Sequence, residues 1–289
     1  MKDYYVIGLM SGTSIDGVDL VYVNFFFNKY WSFKILKFKT YEYDKDWQNI
    51  LKNLIDKDQN SIKLIDKNYT KLLSKYILSF IEEFSIKKLD FVSSHGHTAI
   101  HNPSSSITYQ IGNLKELSDY IGLKVICDFR AQDVKLGGQG APLVPVGEKY
   151  IFPEYDNLIN LGGFANITIK SNNNLTAYDI CPVNIVFNHL SNLRHLKYDD
   201  KGKIASSGTL NIELFDCLQS LYYYKQISPK SPGIEWVNKN ILPLINSFSE
   251  IPLEDLLNTF SKHFASQIAS NIKSAKKTLI TGGEYTMII

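Results

Sequence analysis

Two apolar runs separated by a loop of small residues open the chain, and this pattern restricts the fold more than any other feature. Residues 4–9 (YYVIGL) and 18–27 (VDLVYVNFFF) favour β-strands, and residues 10–17 (MSGTSIDG) between them favour a turn. Two strands joined by such a loop predict a hairpin, and residues 33–43 predict a third strand. The apolar spacing of residues 61–84 then predicts a long helix.

A second run of the same kind follows in the other half of the chain. Residues 157–161, 164–170 and 175–180 predict strands, and mostly helical segments follow from residue 183. Each half therefore begins with antiparallel strands and continues into helices, which is an α/β pattern. We expect an N-terminal lobe at residues 1–127 and a C-terminal lobe at residues 128–289.

The composition of the 289 residues excludes several classes of protein. A net charge of +2 gives no global electrostatic reason to expect nucleic acid as a partner. No apolar stretch approaches the length of about 18 residues that a membrane span needs. The three cysteines are scattered, so neither a disulfide framework nor a zinc knuckle is expected. No secretory signal opens the chain, and we expect a cytoplasmic protein.

The loop between the first two strands is the first candidate site. Gly12, Thr13, Ser14 and Gly17 suit a phosphate, because glycines allow close approach and the hydroxyls add hydrogen-bond donors. Asp16 or Asp19 can hold a magnesium-bound water, since Mg²⁺ prefers hard oxygen ligands. A plain hairpin turn is the alternative interpretation of this loop.

Three histidines lie in a predicted polar loop at residues 95–103. Extended spacing places His95 and His97 on one face, and His101 can join them. Such a set is compatible with a zinc site that leaves one open position. The alternatives are a loop that hydrogen-bonds a hydroxylated substrate and histidines with a structural role only.

A predicted loop at residues 128–145 carries a cation, carboxylates and glycines. Arg130 presents a planar fork that suits a carboxylate or a phosphate. An ion pair with Asp128 or Asp133 is the structural alternative. The glycines at residues 137–140 indicate a backbone that a ligand approaches, or a hinge.

A carboxylate and two glycine pairs follow predicted strands in the second half. Asp179 ends a strand just before a helix, a position that suits a general base, although a helix cap is the alternative. Gly162-Gly163 and Gly282-Gly283 each follow an apolar strand and can lie against a nucleotide. A glycine pair by itself is a weak signal.

The order of these pieces resembles the anhydro-N-acetylmuramic acid kinase family over essentially the whole chain. The matching stretches are GLMSGTSIDGVD (8–19), SHGHT (94–98), QIG (110–112), DFR (128–130) with Asp133, GGQGAPLVP (137–145), and NLGG (160–163) with Ala165-Asn166. The GTSxDG and GGQGAPLVP patterns are the most specific of these.

The resemblance implies a fold, two cosubstrates and a reaction. The fold is a two-lobed actin-like ATPase fold, with RNase H-like lobes around a central cleft. The cosubstrates are ATP and Mg²⁺, and the acceptor is 1,6-anhydro-N-acetylmuramic acid. The family opens the anhydro bridge with water and phosphorylates O6, in the recycling of peptidoglycan in the bacterial cytoplasm. Family members tend to pair, so a homodimer is expected.

The resemblance also implies roles for residues of this chain. Asp179 matches the catalytic base, and Gly12–Gly17 with Asp19 match the nucleotide-phosphate site. His97, Thr98, Arg130 and Asp133 match the substrate site, with Arg130 on either the lactyl carboxylate or a phosphoryl oxygen. The glycine pairs match nucleotide contacts.

Two departures from the family pattern qualify these expectations. Asp179-Ile180-Cys181-Pro182-Val183-Asn184 stands where the family has Asp-Thr-Gly-Pro-Gly-Asn, so the backbone and hydroxyl contacts around the base are open to change. The chain also stops soon after Gly283, where the family continues, which suggests C-terminal truncation. An active kinase and a decayed, non-catalytic relative that binds nucleotide or amino sugar are therefore the two main hypotheses. A metal-dependent hydrolase that uses the three histidines is a third.

Overall fold

The chain folds into two compact units, as a computed structural model of all 289 residues shows. The structure describes residues 2–12, 15–102, 105, 107–171, 174–196, 198–272 and 277–282. The N-terminal unit is Met1–Ile151 and the C-terminal unit is Phe152–Ile289. Each unit has its own buried apolar cluster.

The N-terminal unit is built on a mixed sheet. Its strands are β1 (Lys2–Ser11), β2 (Gly17–Asn28), β3 (Tyr30–Glu42), β4 (Phe91–Ser94), β5 (His97–Asn102), β6 (Ile107–Ile111) and β7 (Val125–Ile126). The sheet has the order β3-β2-β1-β4-β7, and β5 pairs with β6 in a separate hairpin. The first three strands are antiparallel, whereas β4 runs parallel to β1 and β7 parallel to β4.

One long helix covers a face of this sheet. The helices of the unit are α1 (Lys45–Lys52), α2 (Gln59–Glu83), α3 (Glu116–Ile121), α4 (Phe129–Lys135) and α5 (Val144–Ile151). The apolar residues Tyr69, Leu73, Ile77 and Phe80 recur at helical spacing along α2 and join the core with Ile7 of β1. Asp58 caps α2, because its carboxylate accepts the N–H groups of residues 60 and 61.

Two segments predicted as loops contain regular structure. Residues 97–102 form β5, because β6 supplies an antiparallel partner that the polar sequence of β5 does not reveal. Residues 128–145 include α4, which begins after Asp128 in a left-handed conformation (φ 60°), and the start of α5. Because α4 contacts β6 and α5 contacts β3, the first unit ends at Ile151 rather than at residue 127.

The C-terminal unit repeats the same strand arrangement. Its strands are β8 (Asn157–Leu161), β9 (Phe164–Ser171), β10 (Asn174–Pro182) and β11 (Thr278–Gly282). Their order is β10-β9-β8-β11, and β11 runs parallel to β8. The helices are α6 (Asn184–Asn192), α7 (Lys203–Ser207), α8 (Ile212–Ser220), α9 (Tyr222–Lys225), α10 (Ile234–Trp236), α11 (Leu242–Asn246) and α12 (Leu253–Asn271). A π-helical segment, Val237–Ile241, links α10 to α11.

Both sheets share three antiparallel strands followed by a strand parallel to the first. This order is the one expected for RNase H-like lobes, and the α/β prediction is confirmed. Phe187 of α6 and Phe260 and Phe264 of α12 form the centre of the second core. Among the described residues, no helix combines the length and the hydropathy that a membrane crossing requires.

Candidate active site

The loop between β1 and β2 is fixed at the end where β2 begins. Tyr43 donates its backbone N–H to the carbonyl of Asp16 at 3.1 Å. A Cβ atom on Gly17 would lie 2.5 Å from the carbonyl oxygen of Tyr41, so β3 passes too close for any side chain there. Glycine at position 17 is therefore required by strand packing. Thr13 and Ser14 lie outside the described residues.

Two carboxylates flank Gly17 on the surface of the N-terminal unit. Asp16 and Asp19 are both exposed, and Thr40 donates its hydroxyl to Oδ1 of Asp19 at 2.5 Å. Carboxylate oxygens are the donors that Mg²⁺ prefers, so the chemistry of this pair fits the metal that the resemblance implies.

A row of buried polar groups includes Ser11, the last residue of β1. Oγ of Ser11 is 2.8 Å from Oη of Tyr43 and 2.9 Å from Nδ1 of His97. Oη of Tyr43 is in turn 2.5 Å from Oη of Tyr69. Burial and, to a smaller extent, the neighbouring His95 together lower the pKa of His97 to about 4. His97 is therefore neutral at pH 7, and the half-buried Thr98 follows it on β5.

Arg130 organises a second part of the same unit. Its Nε donates to Nε2 of His95 at 2.9 Å, and its Nη1 donates to the carbonyl of Gly140 at 2.9 Å. Asp133 accepts the N–H of Gly140 at 2.7 Å. The ion pair of Arg130 with Asp128 or Asp133, the structural alternative raised above, is not formed among the described residues. Arg130 and Asp133 together hold the glycine-rich loop at residues 137–140.

The zinc-site interpretation is wrong. Among the described residues, which include His95, His97 and His101, no three His, Cys, Asp or Glu side chains are grouped to hold a metal ion. His95 uses both ring nitrogens, since Nδ1 lies 2.9 Å from the carbonyl of Gly96 and Nε2 accepts from Arg130. Nδ1 of His101 lies 3.1 Å from the hydroxyl of Thr108.

Asp179 lies on β10 of the C-terminal unit, beside a bulge in the ladder with β9. Ser231 donates its hydroxyl to Oδ2 of Asp179 at 2.5 Å. The backbone of Asp179 is held as well, because its N–H donates to Lys230 at 3.0 Å and its carbonyl accepts from Tyr223 at 2.7 Å. Burial raises the pKa of Asp179, and the hydrogen bond from Ser231 opposes this effect.

A groove of about 550 Å³ is lined in part by Ser231, the hydrogen-bond partner of Asp179. Ser231 lines the groove together with Tyr223, Trp236 and Lys239. The groove therefore offers aromatic faces, the cation of Lys239 and the carboxylate of Glu235 beside Ser231, the only side chain that bonds Asp179 among the described residues.

The two glycine pairs differ in how much space the structure leaves for a side chain. Carbonyls of Gly162 and Gly163 accept the N–H groups of Asn184 and Val183, so this turn is joined to the start of α6. A Cβ atom on Gly162 would make only ordinary contacts, the nearest at 3.5 Å. Gly282 has a φ of +109°, and a Cβ there would lie 2.2 Å from the carbonyl oxygen of Leu161. Gly283 lies outside the described residues.

Sequence reasoning missed several residues that organise these sites. Ser231 is 52 residues from Asp179, and its only signal is a polar, proline-containing segment at residues 228–233. Tyr43 and Tyr69 give no signal, because a tyrosine in a strand end or a helix is ordinary.

Comparisons with known proteins decide the family. The family model described as anhydro-N-acetylmuramic acid kinase matches residues 4–287. The chain belongs to the anhydro-N-acetylmuramic acid kinase family. The Clostridioides difficile (strain 630) protein named anhydro-N-acetylmuramic acid kinase is 35% identical over 290 residues, which cover 93% of this chain and 76% of that protein. The protein of the same name from Sulfurimonas denitrificans is 32% identical, over 97% of this chain and 80% of that protein.

Membership in the anhydro-N-acetylmuramic acid kinase family makes the protein a sugar kinase, a phosphotransferase that uses an alcohol group as acceptor. A solved ROK family glucokinase from Streptomyces griseus, in complex with glucose and AMPPNP, is 13% identical at a TM-score of 0.37. The alignment covers 96% of this chain and 83% of the glucokinase chain. A similarity of this size bears on neither the fold nor the site.

Proposed function

We propose that the protein hydrolytically opens 1,6-anhydro-N-acetylmuramic acid and phosphorylates O6, with ATP as the phosphoryl donor. The products are N-acetylmuramic acid 6-phosphate and ADP, and the reaction serves the recycling of peptidoglycan in the cytoplasm. The observation that carries this proposal is the environment of Asp179. Its carboxylate is half-buried, has a raised pKa and accepts from a single side chain, Ser231, within the part of the chain that the structure describes.

Asp179 acts as the general base in this reaction. It removes a proton from a water molecule whose oxygen attacks the anomeric carbon C1. The bond from C1 to O6 then breaks, and the electron pair stays on O6. O6 attacks the γ-phosphorus of ATP, and ADP leaves. A carboxylate with a raised pKa is a better proton acceptor than an exposed one, which suits this role.

The nucleotide is held by the loop that begins at Gly12 and ends at Gly17, with Thr13 and Ser14 as further donors. Asp16 and Asp19 are the residues that would hold Mg²⁺, because both are exposed carboxylates beside this loop. When Mg²⁺ is bound, it would neutralise charge on the transferred phosphoryl group. Gly162, Gly163, Gly282 and Gly283 are proposed nucleotide contacts.

The sugar is held by residues of β5 and of the segment after β7. His97 and Thr98 contact the sugar, and Arg130 binds its lactyl carboxylate or a phosphoryl oxygen. Because Arg130 is anchored through Nε and Nη1, we expect Nη2 to be the nitrogen that contacts the ligand. Asp133 positions the glycine-rich loop by accepting the N–H of Gly140.

A coupled assay with ATP and the anhydro sugar tests this function. We expect wild-type protein to release ADP and a phosphorylated sugar, and Asp179→Asn to lower kcat by about 10²–10⁴-fold. ATP affinity, measured by calorimetry, stays within a few-fold of wild type. Asp216→Asn, an exposed aspartate on α8, is the matched control and leaves both unchanged.

Two outcomes would contradict the proposal. Folded wild-type protein that forms no product favours the decayed, non-catalytic relative. Equal loss of turnover and ATP affinity in Asp179→Asn shows that Asp179 is not a base but part of the nucleotide site.

A further inference from the structure

Asp179 lies on β10, which is the outermost strand of its sheet among the described residues. The N–H and the C=O of one residue in a strand point to the same side, and at Asp179 both groups bond on the side away from β9. The N–H donates to the carbonyl of Lys230 at 3.0 Å, and the C=O accepts the hydroxyl of Tyr223 at 2.7 Å. Residues 223–231, which we call the edge segment, therefore bond Asp179 where a neighbouring strand would otherwise do so.

The edge segment is itself held together at this place. Nζ of Lys230 donates to the carbonyl of Tyr223 at 2.9 Å and lies 4.6 Å from the centre of the Tyr223 ring. Ser231, the last residue of the segment, donates its hydroxyl to Oδ2 of Asp179. The backbone and the carboxylate of Asp179 are thus bonded by one segment, so a shift of this backbone moves the carboxylate relative to Ser231.

The ladder between β10 and β9 does not fix the backbone of Asp179 by itself. Asp179 pairs with Asn166 and Cys181 pairs with Ala165, so the register skips Ile180. A bulge of this kind bends the strand and changes the direction of the side chains beside it. The hydroxyl of Tyr223 bonds the carbonyl of the residue at which the bulge begins, and this bond therefore bears on where the carboxylate points.

Tyr223 is built into the core and not onto the surface. It is 4% exposed, and its ring lies 5.0 Å from the ring of Trp236. Its hydroxyl bonds only the carbonyl of Asp179 among the described residues. A carbonyl that loses its donor in such a place is costly. Without the hydroxyl, we expect the backbone at Asp179 to shift toward another donor.

We propose that Tyr223 is a positioning residue for the general base: its hydroxyl fixes the backbone of Asp179 at the bulge and so sets where the carboxylate lies. The catalytic part of this inference rests on the proposed function, in which Asp179 is the base. The geometric part is that the hydroxyl of Tyr223 maintains the bond between Ser231 and Asp179. It does not depend on any activity.

The pKa of Asp179 reports on the bond from Ser231, because burial raises this pKa and the bond opposes the rise. The ionisable groups near the carboxylate are Cys181 and Tyr223, and Lys230 lies beside both of them. Burial raises the pKa of Cys181 and of Tyr223 and lowers that of Lys230 from 10.5. We expect none of the three to change its charge in the acid range in which Asp179 titrates.

A titration followed by ¹³C spectra of full-length protein labelled at the aspartate carboxyl carbons tests the geometric part. The signal that disappears in Asp179→Asn identifies Asp179. We expect Tyr223→Phe and Ser231→Ala each to raise the pKa of Asp179, since both lose the bond from Ser231. The double variant has the same pKa as Ser231→Ala alone, because Tyr223 acts through this bond. An unchanged or lower pKa in Tyr223→Phe, or two shifts that add in the double variant, overturns the inference.

Tyr224→Phe is the matched control for this titration. Tyr224 is the next residue of α9, and its hydroxyl lies 3.0 Å from Nε2 of His263 and not on Asp179. Both Tyr→Phe variants remove one hydroxyl from the same core, so we expect both to lose stability in urea. Only Tyr223→Phe changes the pKa of Asp179. An equal change of this pKa in both variants shows a general loosening of the core and overturns the inference.

Kinetics test the catalytic part. Tyr223→Phe is expected to lower kcat on the anhydro sugar by about tenfold, since a small misplacement of a reacting group is costly. This loss exceeds that of Ser231→Ala, which leaves the backbone of Asp179 in place. The KM values for ATP and for the sugar change by no more than about twofold, because Tyr223→Phe keeps the ring that packs against Trp236. Tyr224→Phe leaves kcat and both KM values unchanged.

The outcomes separate this inference from the proposed function. An unchanged kcat in Tyr223→Phe, together with a large loss in Asp179→Asn, overturns the catalytic part of the inference and leaves the proposed function standing. Wild-type protein without turnover, in which Tyr223→Phe still raises the pKa of Asp179 through Ser231, overturns the proposed function and supports the geometric part.

Discussion

Two carboxylates, one in each unit, differ in how fully their oxygens are bonded. Asp66 of α2 is 1% exposed and accepts the N–H of Gly112 at 2.7 Å, the hydroxyl of Thr70 at 3.3 Å and the hydroxyl of Tyr109. Asp179 of β10 is half-buried and accepts from Ser231 alone among the described side chains. The first carboxylate joins a helix to the segment after β6, whereas the second bonds a single side chain among the described residues.

This difference separates a structural carboxylate from a candidate base. A carboxylate has about four acceptor positions, and three donors on Asp66 use most of them. Ser231 is the single side-chain donor to Asp179 among the described residues, and burial raises the pKa of Asp179, which favours uptake of a proton. Burial of an acid is therefore a weaker signal of catalysis than the number of donors around it.

Neutralising Asp66 is expected to have the largest effect on stability. Asp66→Asn places an NH₂ group against donors, and we expect the free energy of unfolding to fall by about 3–5 kcal/mol. Asp179→Asn does not lower stability at pH 7, because a raised pKa means that the charged form is disfavoured in the folded protein. Urea denaturation measures both.

Asp119→Asn, an exposed aspartate of α3, is the control for these substitutions. Equal losses of stability in Asp66→Asn and Asp179→Asn would show that the number of donors does not distinguish the two sites.

Acid titration compares the two units through their buried histidines. Burial lowers the pKa of His97 from 6.5 to about 4, and that of His263 in α12 from 6.5 to about 3. A depressed pKa contributes stability that is present above pH 6.5 and is lost as the pH falls toward the folded value. We expect His97 to contribute at most about 3 kcal/mol to this loss.

Urea unfolding at several pH values between 6.5 and 4 measures this loss. The slope of unfolding free energy against pH becomes shallower in His97→Gln and in His263→Gln. A variant that follows the wild-type slope in this window would show that the histidine it replaces is not buried as a neutral ring.

Ser231→Ala removes the only side-chain donor to Asp179 among the described residues. Because this hydrogen bond opposes the effect of burial, the pKa of Asp179 rises further without it. The acid limb of the profile of kcat/KM against pH therefore moves to higher pH. At the plateau, kcat/KM stays within about threefold of wild type. An acid limb that moves to lower pH, or not at all, contradicts the role of Asp179 as the base.

Gly162→Ala is the mildest change and tests for a ligand rather than for packing. The added methyl group would make only ordinary contacts, so stability is unchanged. If a nucleotide approaches this turn, the KM for ATP rises by about fivefold, since a methyl group in a tight site costs about 1 kcal/mol. Gly147→Ala, which meets nothing within 4 Å, is the control. An unchanged KM for ATP removes Gly162 from the nucleotide site.

Local patterns predicted much of the fold. The strand–loop–strand openings, the helix α2 and the strand before Gly162 follow from the spacing of apolar residues that lie close together in the sequence. β5 and α4 were missed, because β5 depends on pairing with β6 and α4 begins at a left-handed Asp128. The catalytic role of Asp179 stays a prediction from the family motif and from its position at the end of a strand.

The class of fold, the family and the short motifs follow from the sequence, because each is carried by residues that are near one another in the chain. Which side chains meet depends on the tertiary structure. Ser231 reaches Asp179 across 52 residues, and His97 reaches Ser11 across 86. Such partners are brought together by the packing of whole elements.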